Sequence, residues 1–166
     1  MLALKVTSAK NFMNQLLAAS LFDPFLMIEG SLLTGITYNF DGHLNLDFYP
    51  AEERTAEFHP YEYQEWSEAR GIIFNLVKGS NTPLHMKFML QLKPDKALPM
   101  LKKEAPETDF SQLRALLLTI KYEAGSVVIT TGSSYYTFIM DKTADIIWDK
   151  AAKQYLSAKG IDFEEM

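Results

Sequence analysis

Cysteine is missing altogether from the 166 residues of this chain. Disulfides, thiolate metal sites and cysteine nucleophiles are excluded with it. Histidine is nearly as scarce: His43, His59 and His85 are the three in the chain. They stand far apart and share no ligand spacing, whereas zinc sites typically show paired ligands. Neither a metal nor a cofactor is expected. Long apolar runs are lacking too. Runs such as residues 116–118 fall far short of the roughly 20 needed to cross a bilayer. The opening Met1-Leu2-Ala3-Leu4-Lys5-Val6 has neither the basic start nor the long apolar region of a signal peptide. A cytoplasmic location, away from the membrane, is the expectation. Positive charge is also in short supply, with 16 Lys and Arg against 21 Asp and Glu, a net charge of −5. That balance argues against non-specific nucleic-acid binding, which needs clustered cations, although it leaves room for a locally basic face.

What is present is an ordinary globular composition, 48% apolar, 13% aromatic and 22% charged, in a length that suits one domain spanning residues 1–166. A short strand over residues 2–6 leads to Thr7-Ser8, an N-cap candidate. Ala9, Phe12, Met13, Leu16 and Leu17 then recur at helical spacing, predicting a helix over 8–20 that Asp23-Pro24 ends. Residues 25–30 and 33–40 read as paired strands joined near Gly30-Ser31. Asp41-Gly42 is a hairpin signal, with 44–48 as the returning strand. Pro60 opens a second helix to Lys78, with Trp66, Ala69, Ile73, Leu76 and Val77 as its buried stripe. Leu84, Met86, Phe88, Leu90 and Leu92 alternate with His85, Lys87 and Gln91, a one-sided strand. Residues 93–109 form a proline-containing excursion with a short helix around 98–103. Strands over 114–122, 126–131 and 135–140 follow, turning at Ala124-Gly125 and at Gly132-Ser133-Ser134. A helix over 141–159 closes the chain. The order of elements predicts an α+β fold of two pseudo-repeated strand-helix-strands halves, about 1–55 and 56–140, forming antiparallel sheets, plus the C-terminal helix.

Motifs that carry chemistry are few. Asn39, Asp41, Gly42, Asn45 and Asp47 depart from the calcium-loop spacing and lack its closing glutamate. Thr130-Thr131-Gly132-Ser133-Ser134 is followed by neither the Lys nor the helix of a nucleotide loop, and Ser133 and Ser134 have no nucleophile elbow. The unusual stretch is 48–70, where Phe48, Tyr49, Phe58, Tyr61, Tyr63 and Trp66 interleave with Glu52, Glu53, Glu57, Glu62, Glu65 and Glu68. Aromatic residues and arginine are enriched at recognition surfaces. Tyr61, Tyr63, Trp66 and Arg70 are therefore the candidate partner-binding residues, against a reading in which Trp66 and Phe58 fasten the helix start to the core. An acidic aromatic patch suits a protein partner and repels nucleic acid. The last helix carries Ala144, Ile147, Trp148, Ala151, Tyr155 and Ala158 on one side, for packing within the chain or, less favoured, on a second copy.

With these pieces in place the chain resembles a small family of uncharacterised bacterial proteins of unknown function. The resemblance rests on the run from Phe12 to Leu17, on Asp41-Gly42, on Lys78-Gly79 and on Thr82-Pro83-Leu84. It rests above all on Thr130-Thr131-Gly132-Ser133-Ser134 with Thr137-Phe138, Asp141-Lys142 and Trp148-Asp149. It carries no activity. In topology alone, a strand, a helix and several strands repeated once resemble one domain of a DNA sliding clamp, which implies two helices lining one face of paired sheets. The sequence thus leads to a non-catalytic binding or assembly module, with a protein partner or self-association. The alternative is a hydrolase or transferase whose site gathers separated residues such as Asp41, His43 and His85.

Overall fold

The computed structural model describes residues 1–79 and 81–166. Among these the chain runs β1 (Ala3–Val6), α1 (Ala9–Ala18), β2 (Phe25–Leu33), β3 (Thr37–Asp41), β4 (Gln64–Glu65), α2 (Trp66–Val77), β5 (His85–Leu92), α3 (Pro94–Glu104), β6 (Leu113–Glu123), β7 (Ser126–Tyr135), α4 (Thr143–Ala158) and β8 (Phe163–Glu165). The fold is α+β, with four helices and eight strands in a single open sheet ordered β3-β2-β5-β6-β7-β1-β8, β4 also pairing with β2. Each pairing is antiparallel. The expected antiparallel sheets are therefore one sheet, because β2 pairs with β5 and β1 with β7.

Alternation sets the two faces of that sheet. Met86, Phe88, Leu90 and Leu92 of β5 and Leu116, Leu118 and Ile120 of β6 point to one side, where they form a single core with Phe12 and Leu16 of α1, Trp66 and Ile73 of α2, Leu101 of α3, and Trp148 and Leu156 of α4. The helices thus layer one face, as their apolar stripes require. Tryptophans anchor two of them: the Trp66 indole donates to the Leu16 carbonyl at 3.1 Å and that of Trp148 to the Leu117 carbonyl at 2.8 Å.

Several boundaries depart from the sequence reading for identifiable reasons. β2 runs straight through Gly30-Ser31. Gly30 lies opposite Phe88, whose ring fills the space a Cβ would take, 2.7 Å away. The turn falls instead at Thr34-Gly35-Ile36. Asp41-Gly42 makes no hairpin, and residues 44–48 hold a short 3₁₀ turn rather than a strand. Gly42 serves close approach: a Cβ there would sit 1.8 Å from the Met27 carbonyl oxygen, beside the irregularity between Met27 and Glu29. The second helix begins at Trp66 rather than Pro60 because residues 62–65 are drawn to β2. The Leu44 amide donates to the Glu62 carbonyl, the Gln64 amide to the Gly42 carbonyl, and Gln64–Glu65 pairs with Leu26–Met27. The excursion after β5 holds a longer helix than expected, α3, with Pro94 in its first turn and Pro99 inside it.

The third tail strand is the clearest correction. No turn forms at Gly132-Ser133-Ser134. β7 continues through it, pairing Gly132, Ser133 and Ser134 with Leu117, Leu116 and Ala115, and residues 136–140 lie outside any strand. The polar residues are tolerated because α4 satisfies them. The Thr131 hydroxyl donates to Asp149 at 2.5 Å, the Ser133 hydroxyl to Asp145, and the Tyr135 hydroxyl to Asp145 at 3.0 Å. Burial, more than this carboxylate, raises the Tyr135 pKa.

Candidate functional site

The face of the sheet away from the helices carries a groove. Its floor crosses four strands: Leu26 of β2, Gln91 of β5 and Leu117 of β6 stand in register, with Ser134 of β7 beside them. Small Ala115 and Ser134 beside that row leave room for a cavity of about 430 Å³. Tyr63, Pro94 and Tyr136 flank it, with Glu62 and Arg114 among its lining residues. A shallower depression of about 260 Å³ continues it past Met89 to Ser31, Asn39 and Lys87. Leu26 and Ala115 are buried here yet stand outside the main core.

Gln91 is the unusual residue of the groove. It is 7% exposed, and that exposure opens onto the groove, so its carboxamide is not among the fully buried atoms left without a hydrogen bond. At the rim, Glu62 Oε1 lies 4.0 Å from Arg114 and 3.6 Å from His43 Nε2. His43 forms an isolated bridge with Tyr63, the rings meeting edge to face at 5.7 Å. The site therefore offers an apolar floor, aromatic flanks, one amide open to the groove and a rim whose charges offset each other.

The sequence-derived candidates divide around this groove. Tyr63 lines it. Tyr61 sits in a neighbouring hollow of about 140 Å³ with Tyr49, Phe58 and His59. Its hydroxyl donates to Asp95 at 2.8 Å, and the Lys93 ammonium lies 5.4 Å from its ring centroid. In that hollow His59 Nε2 is buried without a hydrogen bond among the described residues. Trp66 is core, fully buried against Phe88. Arg70 is held by Asp23, with Nε 2.9 Å from the carboxylate, so it ties α2 to the start of β2. Gln91 was legible only as a polar residue between Leu90 and Leu92, the pattern of any solvent-facing strand position.

The catalytic alternative is not brought together. Asp41 pairs with Glu29 while His85 pairs with Leu33, four positions along β2, or about 13 Å at strand rise. The Asp41 carboxylate accepts the His43 backbone amide at 3.0 Å. Ser133 meets Asp145 without a histidine. Among the described residues no group of three His, Asp or Glu is placed to hold a metal ion, and no helix is long and apolar enough to cross a membrane.

Fold and groove together define an α+β protein with helices on one face of its sheet and a recessed apolar seat on the other. The chain belongs to DUF5721, a family of unknown function whose sequence pattern matches residues 15–164. No curated protein and no solved structure matches it. The residues behind the family resemblance acquire a physical role. Thr131, Ser133 and Asp149 join β7 to α4, while Ser134 lines the groove.

Proposed function

We propose that this chain is a non-catalytic binding module whose seat is the groove on the helix-free sheet face. The observation that carries the reading is the groove itself, a recessed and largely apolar floor into which the Gln91 carboxamide opens. That carboxamide offers an incoming ligand one acceptor and two donors beside the apolar contacts. The volume falls within the roughly 300–1,000 Å³ of ligand seats. A protein segment suits the site better than nucleic acid, because Glu62 offsets Arg114 and the body is acidic. A cytoplasmic location is consistent with the cysteine-free sequence.

The two-half organisation belongs to the same proposal. The order β3-β2-β5-β6 is symmetric about the β2–β5 pair, with α1 preceding β2 and α2 preceding β5, which supports a duplicated unit. A clamp-like use of the helices is not favoured, since exposed Ile72 and Glu68 stand on α2 where DNA would require cations.

Selection of peptides from a random library against the purified chain, followed by amide chemical-shift mapping, tests the binding reading. Bound peptides are expected to shift Tyr63, Met89, Gln91, Leu117 and Ser134, and Tyr63→Ala should weaken them with little change in Tm. Shifts confined to the helix layer would overturn the assignment.

A further inference from the structure

The groove has a candidate occupant in the chain's own sequence. Directly after β7, residues 136–140 read Tyr136-Thr137-Phe138-Ile139-Met140, five residues without a charge. Tyr136, Phe138 and Met140 are 70%, 86% and 82% exposed. Contiguous exposed apolar side chains of this kind mark interaction sites. Tyr, Thr, Phe and Ile are strand-favouring residues, yet the segment pairs with no strand. The groove presents the complement: an apolar floor, an offset rim and the Gln91 amide open to it.

Dimensions favour a peptide strand over a compact ring. The floor crosses four strands, three spacings of about 4.8 Å or roughly 14 Å in all, which four to five extended residues match at about 3.3 Å each. A strand residue directs its N–H and C=O to the same side, and a glutamine carboxamide offers one acceptor and two donors. Gln91 can therefore pair with the backbone of an incoming segment whatever its side chains.

Placement favours a second copy of this chain. Tyr136 both begins the exposed segment and lines the groove. A two-fold axis beside Tyr136 would lay each copy's segment over the other's floor, a closed self-complementary contact.

We infer that the chain forms a two-fold dimer in which residues 136–140 of each copy occupy the sheet-face groove of the other, with Gln91 hydrogen-bonded to the incoming backbone. This rests on the binding role assigned to the groove and names its occupant.

The test is mass in solution by sedimentation over a concentration series, together with directed cross-linking. The native chain should pass from monomer to dimer as concentration rises. Phe138→Glu should stay monomeric with unchanged circular dichroism, and Gln91→Leu should weaken association about tenfold, the worth of one buried hydrogen bond. Ile146→Glu, on the exposed side of α4, should leave the dimer intact. Because the chain has no native cysteine, Ser134→Cys protein mixed with Phe138→Cys protein should give a mixed disulfide under mild oxidation. A monomer at every concentration, or a dimer indifferent to Phe138→Glu, overturns the inference. If library peptides still map to the groove of such a monomer, the dimer falls while the binding role stands. If they map elsewhere, the binding role falls as well.

Discussion

At the scale of single residues, the groove's surroundings are set by where each polar atom finds a partner. Tyr61 shows this most directly. Burial, then the hydrogen bond to Asp95, then the charges of Asp95 and Glu65 push its hydroxyl up to about 12. A folded-state pKa above the unfolded value of about 10 means that the fold favours the neutral phenol. The associated stability is complete below about pH 10 and is lost as pH rises through about 12. In an absorbance titration of tyrosinate, Tyr61, Tyr135 and Tyr155 of the eight tyrosines should ionise late, and Tyr61→Phe should remove one tyrosine from that late step. A native titration identical to that of the variant would refute the assignment. Residue identity was legible in the sequence where packing alone decides, as for Phe12 and Ile73, whereas Trp66, read both as stripe and as partner site, is core. It was not legible for Arg70 or Gln91. Their roles depend on distant surroundings: Asp23 comes to Arg70, while the groove forms over Gln91.

At the scale of elements, strong periodicity was legible and punctuation was not. α1, α2 and α4 stand where apolar stripes placed them, and β5 and β6 follow their alternation. The failures lie at Gly-Ser and Asp-Gly pairs, which the sequence offers as turns. Ser133 is held in β7 by Asp145, a residue of the next helix. Gly42 is required by the Met27 carbonyl, which belongs to an earlier strand. The turn that did form where expected, Ala124-Gly125, has both residues at positive φ, +52° and +77°. The left-handed region costs a non-glycine residue about 1–2 kcal/mol. Ala124→Gly should therefore stabilise the chain by about 0.5–1 kcal/mol, after allowance for glycine's greater freedom when unfolded. Gly125→Ala should destabilise it by at least as much. Urea denaturation of the pair checks this; a loss of stability in Ala124→Gly would mean that the Ala124 methyl makes a contact worth more than the strain.

At the scale of the whole molecule, the sheet is completed by its most distant pairing. β5, β6 and β7 follow one another in sequence, β6 and β7 through a tight turn, but β1 must cross from the start of the chain to lie between β7 and β8, with Leu4 opposite Ile129 and Glu165. Closing so long a loop has a high entropic cost before any contact compensates it, so β1 should dock late, and β8, whose pairing runs through β1, should dock with it. Leu4 is 1% exposed. Leu4→Ala should cost about 2–5 kcal/mol, and if β1 docks after the main barrier, nearly all of that loss appears as faster unfolding, with the folding rate almost unchanged. Amide protection over β8 should fall together with that over β1, while the β5–β6 pairing keeps its own. A Leu4→Ala chain that folds many-fold more slowly would place β1 in the nucleus instead and make the long-range pairing the event that organises the sheet.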